Sequence, residues 1–194
     1  MDYVRVAEER EILKVLGFSE HIPLPDRTLD YGRRMEYSDL HSYEKDVREA
    51  KEKTDIKILL EGECDWIKEE ASFYQDLLSE RRYSYLLGSV HSMIDPETGE
   101  DTYISRISSS LKKLLIEYVN QYTQMLSSKI FLYACHPDLF MSAYKVWDEN
   151  AISASIDIAS AAKELGVPLA ILDVEINSFL FLFLSVLCQN PFPP

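Results

Sequence analysis

The stretch Tyr85-Leu-Leu-Gly-Ser-Val-His-Ser-Met93, YLLGSVHSM, is a short apolar run that ends on a histidine. Its length is that of a buried strand, too short for a helix, and a new element starts right behind His91. Working outward, the same pattern recurs. IFLYAC (Ile130–Cys135) runs into His136, the stretch from Val15 to Ser19 leads to His21, and IKILLEGE (Ile56–Glu63) ends on Glu63. PLAILDVEI, Pro168–Ile176, is a fifth run of the same kind.

Between these runs the apolar period changes. Ile104, Ile107, Leu111, Leu114, Leu115, Tyr118, Tyr122 and Met125 recur at steps of three and four, which predicts a helix with one buried stripe. Further helices are predicted over Asp2–Val15, over Ser38–Lys53 with Ser38 as N-cap, over Lys68–Glu80, and over Asn150–Leu165, where Gly166 and Pro168 end the helix. Strands apolar on both faces that alternate with helices predict an α/β fold with a parallel sheet covered by helices. No repeat, low-complexity linker or composition break marks a second domain.

At 194 residues with 46% hydrophobic content, the chain is long enough for one domain with a sizeable core. The net charge of −13 and the sequence pI of 4.7 exclude nucleic acid and anionic membrane as partners, since both are held chiefly by Lys and Arg neutralising phosphates. Cys64, Cys135 and Cys188 are odd in number and form no C-x-x-C pair, which argues against a disulfide framework or a thiolate zinc site and for a reducing cytoplasm. MDYVRVAEEREI lacks the basic and apolar regions of a secretory signal. SFLFLFLSVLC, Ser178–Cys188, falls short of the roughly 20 apolar residues that spanning a membrane requires.

Four consecutive strands thus each deliver one metal-ligand type at the carboxyl end: His21, Glu63, His91 and His136. In parallel α/β architectures those ends share one face, where active sites are built. One strand-end histidine is more often a hydrogen-bonded structural residue than a ligand. Four in succession point to a divalent ion, and imidazole with carboxylate suits Zn, Mn or Fe, as one ion or part of a cluster. Alternation along the strands turns Cys64 and Cys135 to the opposite face, as inert packing residues.

Other residues carry two readings. Asp65 and Asp138 each follow a ligand candidate by two positions and either orient an imidazole or cap a loop. Arg33 and Arg34 in YGRRMEY either grip a phosphate bidentately or are solvated surface. His41 lies among charged residues and reads as part of a solvated helix face. DPETGE, Asp95–Glu100, reads as a turn rather than a metal loop.

GFSEHIPLP, RRMEYSDL, the E-x-D-W of Glu63–Trp66, LLGSVHSM, CHPDLF and VEIN, in this order, resemble the histidinol-phosphate phosphatases of the PHP (polymerase and histidinol phosphatase) family. The resemblance runs from the first helix to about Asn177. It implies a distorted (β/α)7 TIM-like barrel with a multinuclear metal site, hydrolysing L-histidinol phosphate to L-histidinol and phosphate in histidine biosynthesis. His21, Glu63, His91 and His136 match family ligand positions.

The sequence also departs from the family. The H-x-H pair of the first strand and the D-x-H motif of the last are absent, so the resemblance implies an incomplete barrel over residues 1–177 followed by an atypical hydrophobic tail, 178–194. With at least four family ligands missing, three readings stand: a histidinol phosphatase impaired in this form, a PHP phosphatase of another phosphoester, or a non-catalytic remnant that binds a metal ion or a partner. An open sheet edge beside FLFLFLSVL predicts self-association.

Overall fold

The computed structural model describes residues 2–9, 14–25, 35–108 and 111–170. Arg33, Arg34, Cys188, the VEIN motif and the tail from 178 to 194 lie outside the described residues. The chain forms two compact units, residues 1–87 and 88–194. Among the described residues a five-stranded sheet has the order β1 (Val15–His21), β2 (Lys57–Asp65), β3 (Tyr85–Ser89), β6 (Tyr133–Cys135), β7 (Leu169–Ala170), and a separate two-stranded sheet pairs β4 (Ser92–Ile94) with β5 (Asp101–Tyr103).

In the first unit, α1 (Asp2–Glu9), β1 (Val15–His21), α2 (Leu40–Lys51), β2 (Lys57–Asp65) and α3 (Ala71–Ser79) lead into β3 (Tyr85–Ser89), whose last two residues belong to the second unit. β1 and β2 run parallel, in register from Val15↔Lys57 to His21↔Glu63. Along β2 the two faces differ in chemistry. Ile58, Leu60 and Cys64 point one way into the core, where α2 packs on β2 with Leu40, Val47 and Ala50 buried. Glu61, Glu63 and Asp65 point the other way. Within α2, Glu44 is buried and accepts two hydrogen bonds from Arg81, from Nε at 2.7 Å and from Nη2 at 3.1 Å, so the buried charge is paired.

In the second unit, β4 (Ser92–Ile94) and β5 (Asp101–Tyr103) form an antiparallel hairpin, followed by α4 (Leu111–Ser127), β6 (Tyr133–Cys135), α5 (Met141–Tyr144), α6 (Glu149–Leu165) and β7 (Leu169–Ala170). β6 and β7 are parallel. The hairpin turn is DPETGE. Asp95 accepts from Glu97 N at 2.8 Å, and Gly99 takes the left-handed conformation with φ 71°. α4 packs against α6, and Leu114, Tyr118, Tyr122, Ala151 and Ile158 are buried.

Several element boundaries differ from those predicted: Val15, the expected end of the first helix, opens β1, Lys68–Glu70 is a 3-10 turn ahead of α3, and the strand expected from Ile130 spans Tyr133–Cys135. The helix expected to begin at Ile104 begins at Leu111. Ile104–Arg106 is a single 3-10 turn, and Ile107 is extended at φ −74° and ψ 120°, which breaks the helix although both isoleucines are buried. Ser38 is not an N-cap: it sits inside a 3-10 turn, Tyr37–Asp39, and α2 follows from Leu40. The α6 boundaries stand as expected, with Asp148 capping the backbone N–H groups of Asn150 and Ala151 and Gly166 at φ 71° ending the helix.

Candidate metal centre

The first unit brings two of the four expected donors together. Parallel register sets His21, the last residue of β1, opposite Glu63, and the Ile22 backbone N–H donates to the Glu63 carbonyl at 2.8 Å, so the two strand tips stay locked in step. The His21 Nδ1 lies 3.9 Å from Glu63 Oε2. That gap is longer than a hydrogen bond and of the size an ion between two ligands requires. The Glu63 side chain is 10% exposed and the His21 side chain 33%, so the carboxylate is sheltered and the imidazole is open to a ligand.

Asp65 follows on the same face of β2 and is buried, its carbonyl accepting from the Tyr74 hydroxyl at 2.5 Å. Burial pushes that hydroxyl's pKa up, reinforced by Cys64 and Asp65 beside it. Cys64 and Cys135 are both buried, as expected of packing residues.

One acidic residue escaped the sequence reading. Glu61 lies two residues before Glu63 on the same face, 5% exposed, and its Oε1 is buried without a hydrogen-bond partner among the described residues. Burial raises its pKa, opposed by a hydrogen bond from the Tyr85 hydroxyl. The period of two counted back from Glu63 is the signal that would have found it.

The second unit brings the other two donors together. His91 directly follows β3, is 4% exposed, and its ring centroid lies 5.4 Å from that of His136, with planes tilted by 54°. On the hairpin, the Tyr103 ring lies nearly parallel to His91, at 9° and 6.1 Å between centroids. The Ile104 N–H donates to the His91 carbonyl at 2.9 Å. No apolar run announces β4 or β5, which are three residues each, so Tyr103 was not legible as a neighbour of His91. Asp138 opens the turn behind His136, its carbonyl accepting from Met141 N at 2.9 Å. His41 is exposed on α2, a solvated position as read.

Strands alternating with helices, parallel pairs, and histidine and carboxylate donors at the strand ends define an α/β fold of the incomplete TIM-like barrel kind, with a candidate site at the carboxyl ends. The fold is more particularly that of the histidinol phosphatases. A solved structure from Listeria monocytogenes, described as that of a candidate histidinol phosphatase, superposes with a TM-score of 0.66 at 17% identity, covering 86% of this chain and 73% of its own. A histidinol phosphate phosphatase from Lactococcus lactis, complexed with Zn, L-histidinol and phosphate, superposes with a TM-score of 0.61 at 13% identity. That superposition covers 87% of this chain and 65% of the other, so the chain spans just under two thirds of that protein's length. No family model and no curated protein matches the sequence. At these identities the likeness is one of fold, and it bears out the fold the motif order implied.

Proposed function

We propose that the chain is a metal-dependent phosphomonoesterase of the histidinol phosphatase type. On this reading His21 and Glu63 in the first unit and His91 and His136 in the second are the donors to divalent transition-metal ions, Zn, Mn or Fe. The observation that carries the proposal is the His21–Glu63 pair, set in register at the tips of neighbouring parallel strands with donors 3.9 Å apart. The donor chemistry fits: imidazoles with one carboxylate suit Zn and its neighbours, and Cys64 faces the core side of β2. When bound, such an ion supplies Lewis-acid polarisation of a phosphoryl group and a lowered pKa for water.

The chain's own residues hold and orient the donors. The paired strand tips fix the spacing of His21 and Glu63, and the Tyr103 ring limits rotation of His91. The exposed side of His21 leaves room for a phosphate ester. L-Histidinol phosphate is the proposed substrate, supported by the fold shared with a protein complexed with L-histidinol and phosphate. Among the described residues no helix is long and apolar enough to cross a membrane, which is consistent with action on a small dissolved substrate.

Phosphate release from L-histidinol phosphate tests the reading. Expected is a turnover that chelator abolishes and Zn or Mn restores, that exceeds turnover of an unrelated phosphomonoester, and that falls about 100-fold or more in Glu63→Gln. Activity indifferent to chelator, or none with any metal, would overturn it.

A further inference from the structure

His136 has a backbone that its own sequence disfavours. Its φ is 51°, in the left-handed region that L side chains enter at a cost. It also precedes Pro137, and a residue before proline is pressed toward extended conformations. Two local preferences therefore oppose what the fold imposes, and something outside the local sequence has to hold His136 there.

The holder comes from α4. The Tyr118 hydroxyl donates to the His136 carbonyl at 2.6 Å, from a side chain with no exposed surface. Phe140, four residues beyond His136, packs edge-on against the Tyr118 ring at 5.4 Å. The Leu139 N–H donates to the same carbonyl at 3.1 Å and closes the turn behind it. One helical turn further along α4, Tyr122, equally buried, donates to the Cys135 carbonyl at 2.7 Å. Two tyrosines at i and i+4 thus hold two successive carbonyls at the tip of β6, and only the one held by Tyr118 belongs to the residue in the left-handed conformation.

We infer that Tyr118 is a positioning residue: its hydroxyl fixes the left-handed turn at His136 and so aims the imidazole at His91. This rests on the reading of the two histidines as donors to one metal centre. An extended residue 136 would prolong β6 and carry the ring away from His91. The tilted contact at 5.4 Å is the geometry the turn maintains.

Tyr118→Phe and Tyr122→Phe, each in the full chain, provide the test, because each removes one buried hydroxyl that donates to a neighbouring strand carbonyl. A purely structural role would make the two variants alike. Nuclear Overhauser contacts between the His91 and His136 imidazole protons are measured without metal, and Zn affinity is measured by competition with a chromogenic chelator. In Tyr118→Phe the imidazole contact is expected to be lost and Zn affinity to fall about tenfold or more, while Tyr122→Phe stays close to wild type in both. An unchanged contact in Tyr118→Phe, or equal loss in both variants, would overturn the inference. A wild-type chain that binds no Zn would instead sink the proposed function, and the imidazole contact would still decide the role of Tyr118.

Discussion

Glu63 shows how much of a site one residue type at one place can disclose. A carboxylate that ends an apolar strand and is followed by an opposite-facing cysteine reads as a donor on a shared face, and it stands across from His21 in register. Glu61 was not read that way, because an acid inside a run such as IKILLEGE looks like an interruption until the partner strand is known. Between them sits Gly62, whose position requires a glycine. A Cβ there would fall 2.5 Å from Ile22 Cγ1 and 2.7 Å from its Cδ1, and Ile22 is buried next to His21. Gly62→Ala is expected to cost about 1–3 kcal/mol in denaturant unfolding, since the added methyl overlaps the side chain of a buried Ile22. An unchanged midpoint and slope would show that the strand pair yields more easily than its packing suggests.

At the scale of elements, long periodic segments were legible and short ones were not. α6 has a capping Asp148, a helical period sustained over seventeen residues and a terminal glycine, three signals that agree. The hairpin β4–β5 has strands of three residues and offers a pattern search nothing to count. Ile104 and Ile107 misled because buried residues of an irregular turn can fall at helical spacing by coincidence, and the extended backbone at Ile107 has no signature in composition. Likewise nothing in CHP announces a left-handed His136. The α6 cap also has a pH signature. Hydrogen bonds from the backbone, Ala151 first, lower the Asp148 pKa below its ordinary value. A depressed carboxyl pKa contributes stability above its unfolded value that is lost as pH falls through the folded one. Asp148→Ala is therefore expected to melt at a lower temperature than wild type at neutral pH, with the gap closing as the medium is acidified below the usual carboxylate range. A gap that persists unchanged in acid would mean that the carboxylate's charge does not act in the cap.

At the scale of the molecule, charge adds a second argument for an ion. The chain carries a formal charge of −13, and one face of β2 presents Glu61, Glu63 and Asp65 in succession. A phosphomonoester is itself an anion and would be repelled from such a face, whereas a bound divalent cation reverses the local sign. The parallel fold was legible because alternation of strands with helices is a global pattern that survives local errors. The strand-end positions of the proposed donors were legible because a parallel sheet places all its carboxyl ends alike. The bracing of His91 and His136 by Tyr103 and Tyr118 was not, since those contacts join residues 12 and 18 positions apart through packing alone. Metal content after exhaustive dialysis, followed by calorimetric titration with Zn, tests the central claim most directly. The wild-type chain is expected to bind Zn stoichiometrically, and the His21→Ala/Glu63→Gln and His91→Ala/His136→Ala double variants are each expected to lose that binding while keeping their fold by circular dichroism. Stoichiometric Zn retained in both double variants would contradict the claim, as would a wild-type chain that takes up none.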